Sequence, residues 1–415
     1  MLFLGLAAVA QAANLVSPVT LQSRRAELRK ALPDGVIVLF GRTDKEADEL
    51  RSGFFQEPNF DYLTGWREPG AVLLLAPEGD NPETLFLPRR SPDREKWTGK
   101  KMGPDDPAVR DVTGFPSVMP VEAFESHLRR HLERNSHIYT LKQDPSAERL
   151  AKLEPLREIE DVAPSLAKMR MRKSAEELAL IERATKVTLD AHRAAWQRAA
   201  PGVFEYQIAA SMGNVYFDQG CERHAYSPII GSGPNSVILH YAQNSRRMDQ
   251  GEILLMDVGA ECSGYVADVT RTIPVSGRFS ARQREIYEVV LGAQKATIAQ
   301  VKPGMTLART APNSLYKVAF DYINSHGKDL KGEPLGKYFI HGIGHHVGLE
   351  VHDASDPSAP LEAGMIIAIE PGIYIPEENM GIRIEDMILV TETGSRVLSA
   401  GLPKEIVEIE RAVRK

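Results

Sequence analysis

The chain has 415 residues, of which 43% are hydrophobic and 26% charged, and its formal net charge at pH 7 is −6. This length predicts two or three domains with full-sized hydrophobic cores. The acidic balance, without long blocks of like charge, argues against a nucleic-acid-binding protein and against stable association with a membrane, so peptides or small molecules are the expected partners.

The N-terminus, residues 1–13, is a short apolar run that ends in Ala10-Gln11-Ala12. Small residues in this arrangement are typical of signal-peptidase sites, so we expect residues 1–12 to be a signal peptide and the protein to be exported, for example to a periplasm. No Lys or Arg precedes the run, and a cytoplasmic protein with an apolar tail is the alternative. The run is too short to span a membrane.

Residues 14–165 are predicted to form an α/β domain. His127 and His131 lie four residues apart on a predicted helix, and neighbouring arginines indicate a solvated face rather than a metal site. The expected strands are 36–40, 71–76, 84–87 and 137–141, and the expected helices are 21–32, 121–133 and 147–153.

A second domain, residues 166–415, begins with a long helix after residue 173, because Ser174 and Glu177 form a capping box. Further helices are expected at 206–217, 282–301 and 313–325. The glycine-rich segment Gly231–Gly233 favours a turn between strands over a phosphate site, since no helix is predicted to follow it. Cys221 and Cys262 fit neither a zinc ribbon nor a disulfide scaffold, and we expect them to be buried free thiols.

The segment Ile253–Pro274 is predicted to be a β-hairpin with one aspartate in each strand. With a turn at Cys262 and Ser263, Asp257 and Asp268 would lie directly opposite each other, where like charges repel. A shared proton, a neighbouring Lys or Arg, or metal ions would resolve this repulsion. Two divalent ions bridged by carboxylates fit the spacing best.

Two further strands are expected to carry acidic residues. Glu370 ends an otherwise apolar strand over 365–371, where burial without a partner costs several kcal/mol. It requires either a metal or an ion pair with Arg383. In the strand over 381–391, Arg383 shares a face with Glu385 and is expected to orient or neutralise that carboxylate.

The segment His341–Asp353 contains four histidines among glycines, which favours an irregular loop with a chemical role. Carboxylates with one imidazole suit Mn²⁺, Co²⁺ or Zn²⁺ and disfavour a closed structural zinc site. Paired ions of this kind activate water, so the chemistry indicated is hydrolysis. The carboxylates in question are Asp257, Asp268, Glu370 and Glu385.

Several segments resemble the pita-bread metallopeptidases of the creatinase and aminopeptidase P superfamily, which includes prolidase. The resemblance implies an α+β protein: an N-terminal α/β creatinase-like domain, then a catalytic domain with a curved, mostly antiparallel sheet covered by helices. The segments are Met256–Ala260, Tyr265–Thr272, His341–Asp353, Ile369–Tyr374 and Gly381–Asp386, with Asn59–Gly70 in the N-terminal domain.

The resemblance also implies roles for individual residues. Two divalent ions, with Mn²⁺ as the first choice, are expected on Asp257, Asp268, His345, Glu370 and Glu385, with Asp268 and Glu385 bridging them. Glu370 would also transfer protons in catalysis, together with the catalytic histidines His240, His341 and His352. Arg383 and Asp353 would hold the ligands in place. The resemblance assigns no role to His346, which we expect to be a structural histidine with its hydrogen bonds satisfied.

The activity that the resemblance implies is an Xaa-Pro aminopeptidase acting on proline-containing peptides. An Xaa-Pro dipeptidase (prolidase) is the second choice, and a methionine aminopeptidase is a further alternative. A catalytically silent module that binds peptides or proteins is the non-enzymatic alternative. A homo-oligomer, either a dimer or a tetramer, is expected.

Overall fold

The computed structural model describes residues 16–43 and 53–413. The chain divides into two compact units, residues 1–169 and 170–415. The expected signal peptide, residues 1–12, lies outside the described residues. Within those residues, no helix has the length and apolar character needed to cross a membrane.

The first unit is built on a six-stranded mixed sheet with the strand order β4-β3-β2-β1-β5-β6. Strand β1 lies at its centre, where it is buried along its whole length and pairs antiparallel with β2 and parallel with β5. The strands are β1 Gly35–Phe40, β2 Val72–Leu75, β3 Glu83–Leu87, β4 Ser117–Pro120, β5 His137–Thr140 and β6 Ile159–Asp161.

Helices cover this sheet, and the core includes Val36, Phe86, Phe124 and Leu128. The predicted long helices and central strands are confirmed to within a few residues, whereas the short elements α2 to α4, β4 and β6 were not predicted. The helices are α1 Pro18–Ala31, α2 Pro58–Thr64, α3 Pro92–Thr98, α4 Val109–Thr113, α5 Phe124–Leu132 and α6 Ala147–Leu153, followed by α7 Ala163–Met171 at the end of the unit.

The expected solvated face around His127 and His131 is wrong. Both side chains are buried, their Nε2 atoms are 3.3 Å apart, and the His127 ring packs on Phe86. Burial is the main cause that lowers the pKa of each imidazole. The Thr84 hydroxyl and Asn81 O also lie near Nε2 of His127, and these partners from outside the helix could not be inferred from the neighbouring arginines.

The second unit begins with α8, where the predicted capping box is confirmed: Ser174 caps the helix and Glu177 returns the hydrogen bond. Buried Ile181, Ala184 and Trp196 lie on one side of this helix. The helices of the second unit are α8 Ala175–Arg198, α9 Glu205–Asp218, α10 Ala281–Ile298, α11 Leu315–His326 and α12 Ile406–Val413.

The strands of the second unit pair antiparallel in short sheets. The expected α+β architecture is therefore present. The strands are β7 Arg223–His224, β8 Ile229–Ser232, β9 Ile253–Val258, β10 Ala260–Cys262, β11 Tyr265–Val266, β12 Val269–Pro274, β13 Ile366–Ile369, β14 Gly372–Ile375, β15 Met380–Arg383, β16 Asp386–Val390 and β17 Ser395–Val397.

The predicted hairpin exists, but its predicted register is wrong. Ser263 and Gly264 form the turn and have φ angles of 59° and 78°. These values fit a two-residue hairpin turn, which requires positive φ at both central positions. Cys262 therefore pairs with Tyr265, and Asp257 lies opposite Thr270 instead of Asp268. Asp268 lies just before β12, outside the regular ladder.

The expectation of free thiols is also wrong, because Cys221 and Cys262 form a disulfide. The β7–β10 pairing places Arg223 opposite Glu261, and a backbone hydrogen bond of 3.0 Å joins Glu222 N to Glu261 O. This pairing brings together two cysteines that are separated by 41 positions in the sequence. The disulfide ties the turn end of the Ile253–Pro274 hairpin to the segment after α9.

Candidate metal centre

Three of the predicted ligands lie together in the second unit. One ligand atom each from Asp268, His345 and Glu385 lies within 4.8 Å of the others. Nε2 of His345 is 3.4 Å from Oδ2 of Asp268 and 4.0 Å from Oε1 of Glu385. The same nitrogen is 3.8 Å from Oε1 of Glu370. These distances leave space for an ion between the side chains.

Backbone hydrogen bonds hold the segments that carry these residues. The N–H of Glu385 donates to Thr270 O at 3.1 Å, which fixes Glu385 beside the hairpin. The loop that carries His345 lies along β13, since Ala368 N donates to His345 O at 2.8 Å and Glu370 N to Ile343 O at 2.9 Å. Residues distant in sequence thus meet at one point.

Asp257 approaches the same point but has a cation of its own. Nη2 of Arg383 donates to Oδ2 of Asp257 at 2.6 Å, and the Tyr226 hydroxyl is 2.5 Å from Oδ1. Burial alone would raise the pKa of Asp257, but Arg383 and Tyr226 outweigh burial and hold that pKa below its usual value. The Tyr226 hydroxyl also contacts Oδ1 of Asp268, so one phenol joins both aspartates.

Among the residues that the structure describes, the other carboxylates of the site have no comparable cation. Burial raises the pKa of Asp268 well above its usual range, and the charge of Asp257 raises it further. Burial and the nearby aspartates do the same to Glu385. Burial and then Glu385 raise the pKa of Glu370 to about 8. Charged together, these groups repel strongly.

An unpartnered oxygen shows where compensation is needed. Within the described residues, Oε1 of Glu385 is buried without a hydrogen-bond partner, while Oε2 accepts from the Thr270 hydroxyl at 2.7 Å. Hard oxygen donors with one imidazole are a ligand set for divalent transition metals. The free oxygen, the spacing around His345 and the clustered acids all fit a metal centre.

The sequence prediction for Arg383 is wrong about its partner. Its guanidinium contacts Asp257 and the Tyr374 hydroxyl, and Thr270 lies between it and Glu385. The strand breaks between β15 and β16, so the assumed two-residue alternation does not continue through Glu385. The alternative ion pair of Glu370 with Arg383 alone is likewise not found among the described residues, where the ring nitrogens of His341 and His345 lie 3.7 Å and 3.8 Å from the Glu370 carboxylate.

Arg383 belongs to a hydrogen-bonded chain that ends at His341. Its Nη1 donates to the Tyr374 hydroxyl at 2.7 Å, and that hydroxyl is 2.8 Å from Nε2 of His341. Nδ1 of His341 is 2.8 Å from Gly342 O and 3.7 Å from Oε2 of Glu370. Burial and then Arg383 lower the pKa of His341 to about 3, so the imidazole is neutral and accepts the Tyr374 proton.

The remaining predicted histidines have different environments. His240 and His352 line a cavity of about 250 Å³ together with Asp257, Asp268, His345, Glu370 and Glu385. The ring centroids of His352 and His345 are 4.2 Å apart. His346 is buried, as expected of a structural histidine. Its Nδ1 has no hydrogen-bond partner in the described part of the chain, so the expectation that its hydrogen bonds are satisfied is wrong.

Asp353 lies one step outside the ligand cluster. Its carboxylate pairs with Arg170 at 2.5 Å and with Lys173 at 2.8 Å, and its N–H donates to His346 O at 2.9 Å. Against the effect of burial, these cations lower the pKa of Asp353. Asp353 therefore anchors the histidine loop instead of touching a ligand side chain.

The glycine-rich segment binds an internal anion. A 3₁₀ helix, Gly233–Val237, follows β8, which corrects the expectation that no helix would follow. The Ser232 N–H nevertheless donates to the carboxylate of Glu205 at 2.8 Å, so a side chain of the protein occupies the position that a phosphate would need.

Tyr226 and Tyr374 were missed as site residues. Tyr374 belongs to a segment that the sequence analysis singled out, but the contacts of both tyrosines depend on the packing of distant strands. The only available signal was that Tyr374 closes a segment carrying Glu370, and that signal assigns no role to the phenol.

The fold and the site define a two-domain metallopeptidase. Comparison with family models gives two matches, to metallopeptidase family M24 over residues 179–392 and to the aminopeptidase P N-terminal domain over residues 21–139. The chain belongs to metallopeptidase family M24.

Curated and solved relatives agree with this assignment. The chain is 35% identical over 404 residues to an Xaa-Pro aminopeptidase of Haemophilus influenzae, covering 91% of this chain and 93% of that protein. It is 29% identical to the solved aminopeptidase PepP of Pseudomonas aeruginosa, with a TM-score of 0.87 and coverage of 96% and 98%. Escherichia coli aminopeptidase P with the inhibitor Pro-Leu gives 30% identity, a TM-score of 0.84 and coverage of 96% and 98%.

Proposed function

We propose that this protein is an Xaa-Pro aminopeptidase, which cleaves the bond between an N-terminal residue and a following proline. The observation that carries the proposal is the buried cluster of Asp268, His345 and Glu385 beside a cavity, in a chain that matches aminopeptidase P relatives along almost its whole length. In this proposal the unit up to residue 169 is the aminopeptidase P-like N-terminal domain, and the second unit is catalytic.

We further propose that the site binds two divalent ions, with Mn²⁺ as the first candidate. The ligands would be Asp257, Asp268, His345, Glu370 and Glu385, with Asp268 and Glu385 shared between the ions. When bound, such ions activate water and polarise the peptide carbonyl. The excess of buried acids over cations and the unpartnered Oε1 of Glu385 support this assignment.

The side chains of the protein would position the substrate and move protons. Glu370 is placed to accept and return a proton, because its carboxylate lines the cavity and lies 3.7 Å from Nδ1 of His341 and 3.8 Å from Nε2 of His345. His240 and His352 line the cavity, where their N–H groups could donate to a substrate carbonyl. Burial and Arg383 keep His341 neutral, and its imidazole could contact substrate near Glu370.

A peptide-length series tests the proposed activity. Purified protein, treated with a chelator and then supplied with Mn²⁺, Co²⁺ or Zn²⁺, should release the N-terminal residue from Xaa-Pro peptides of three or more residues. Cleavage of Xaa-Pro dipeptides alone would identify a prolidase. Cleavage of Met-Ala peptides would identify a methionine aminopeptidase, and a complete lack of hydrolysis would support the peptide-binding module.

We also propose export to an oxidising compartment and assembly into a dimer or tetramer. The Cys221–Cys262 disulfide supports the compartment, since disulfides persist mainly outside the reducing cytosol. Thiol labelling of protein isolated from its native cells distinguishes the possibilities, because a cytosolic protein should carry two reactive thiols after denaturation. Light scattering of the purified protein measures the oligomeric state.

A further inference from the structure

The segment from Ser232 to Arg246, here called the His240 segment, forms part of the cavity wall. His240 and Ala242 both line the cavity. The His240 imidazole makes no hydrogen bond with another described residue, and it lies on the exposed turn that follows the 3₁₀ helix. The position of this ring therefore depends on the backbone that carries it.

One buried carboxylate holds that backbone from several directions. Glu205, the first residue of α9, is 0% exposed. Its Oε1 accepts from Ser232 N at 2.8 Å, from the Ser232 hydroxyl at 2.7 Å and from Asn235 Nδ2 at 3.1 Å. Its Oε2 accepts from the Tyr241 hydroxyl at 2.9 Å and from Arg246 N at 2.9 Å. These donors lie at both ends and in the middle of the segment.

The charge of Glu205 is balanced mainly by these donors. The nearest guanidinium, that of Arg246, donates to the Ser232 hydroxyl at 3.0 Å and is itself held by both oxygens of Glu252 at 2.6 Å. Hydrogen bonds to a charged group are stronger than those between neutral groups. Loss of the carboxylate would leave several buried donors of the segment without an acceptor.

Tyr241 connects this anchor with the catalytic side of the unit. Its ring packs with Ile229, Leu255 and Tyr374, and the Tyr374 hydroxyl contacts His341. Tyr241 lies directly between the two cavity residues, His240 and Ala242. A shift of the Tyr241 ring would therefore move the backbone on both sides of it.

We propose that Glu205 is a positioning residue: its carboxylate fixes the His240 segment so that His240 faces the substrate cavity. The proposal rests on the proposed function of His240. It explains why an anion lies inside the glycine-rich segment, and it assigns Glu205 no contact with substrate or metal.

A double-mutant cycle on an Xaa-Pro tripeptide tests the proposal. Glu205→Gln keeps the size of the side chain but replaces an acceptor by a donor, and it should lower kcat/KM about tenfold, equivalent to about 1.4 kcal/mol. The same substitution in a His240→Ala background should change kcat/KM less than about twofold, because the group that Glu205 positions is already gone. Equal losses in both backgrounds, or no loss in the first, would overturn the proposal.

Two matched variants separate positioning from general damage. Tyr241→Phe removes one of the hydrogen bonds to Glu205 and should reproduce part of the effect, again only when His240 is present. Glu252→Gln disturbs the Arg246 ion pair in the same part of the fold and should change kcat/KM less than about twofold. A larger loss in the Glu252→Gln variant than in the Glu205→Gln variant would contradict the assignment.

NMR of the His240 imidazole gives a readout that does not need activity. With ¹⁵N-labelled histidine, the ring resonances of His240, assigned by the His240→Ala variant, should shift in the Glu205→Gln protein and stay in place in the Glu252→Gln protein. Unmoved resonances in the Glu205→Gln protein would refute the positioning role. If the wild-type protein cleaves no proline peptide, the proposed function fails, while this measurement still decides the role of Glu205.

Discussion

The second unit contains two kinds of buried carboxylate, and the contrast between them locates the metal centre. Asp386 is fully buried and pairs with Arg271 at 2.7 Å and Lys404 at 2.6 Å. Asp353 has an equivalent pair of cations. Asp268 and Glu385 are also buried, but the titratable groups whose charges act on their carboxylates are mainly other acids and one histidine.

The pKa values follow this difference in partners. Cations lower the pKa of Asp386 against the effect of burial, whereas burial and neighbouring acids raise the pKa of Glu385. Burial is the same in both cases, so burial alone does not mark a functional carboxylate. The distinguishing feature is a charge that the described side chains do not compensate, which is where an external cation binds favourably.

The largest effect should follow from changing an uncompensated acid. Asp268→Asn is expected to reduce metal content and to lower kcat/KM more than about 10⁴-fold, because bound ions both activate water and polarise the carbonyl. The metal-free variant should be at least as stable as the metal-free wild type, since a neutral amide replaces a buried acid whose ionised form is repelled by its neighbours. Metal analysis and denaturant unfolding measure the two outcomes. Unchanged metal content would remove Asp268 from the site.

Changing a compensated acid should have the opposite signature. Asp386→Asn leaves the buried Arg271 and the half-buried Lys404 without their anion, and the free energy of unfolding should fall by about 3 to 5 kcal/mol. Urea unfolding of the metal-free protein measures this loss. The control is Asp356→Asn, at an exposed carboxylate, which should stay within about 0.5 kcal/mol of the wild type. Equal stability of the Asp386→Asn and Asp356→Asn variants would break the comparison.

A smaller effect is expected in the pH dependence of the metal-free protein. The folded-state pKa of Glu370 is raised to about 8. The stability that protonated Glu370 contributes is therefore fully present below the ordinary glutamate pKa and is lost as pH rises through about 8. Asp268 and Glu385 shift in the same direction. The Tm of chelator-treated protein should therefore fall by several degrees between pH 5.5 and pH 8.5.

Saturating Mn²⁺ supplies the control for this titration. Bound cations favour the charged carboxylates, so the Tm of the metal-loaded protein should not fall over the same interval. Below about pH 4 the stabilisation that Asp353 and Asp386 contribute declines, because these carboxylates protonate in the unfolded chain before they do so in the folded protein, where their pKa values are lowered. Measurements should stay above that range. A Tm of the metal-free protein that rises with pH would contradict the assignment of uncompensated acids.

Sequence patterns predicted the long elements well, because helical periodicity and capping are local. The box at Ser174 and the apolar strand before Glu370 are examples. The resemblance supplied the individual metal ligands, and the structure brings Asp268, His345 and Glu385 together. The turn was predicted one position too early, which shifts the predicted partners by two residues, because the choice of turn depends on which two residues adopt positive φ, here Ser263 and Gly264.

Long-range partners could not be read from the sequence. Arg383 shares an assumed strand face with Glu385, yet it pairs with Asp257, 126 positions away. Burial of the His127 pair depends on Phe86 from another strand. Neither relation has a local sequence signature, and the same holds for the anchoring of the His240 segment by Glu205.

The disulfide between Cys221 and Cys262 encloses both His240 and Asp257 within one covalent loop. A single proteolytic nick inside that loop would leave two fragments that remain joined and migrate as one molecule until a reductant is added. The two linked fragments would stay packed together, so His240 and Asp257 would remain in one molecule. Damage to the backbone there would thus not separate the fragments.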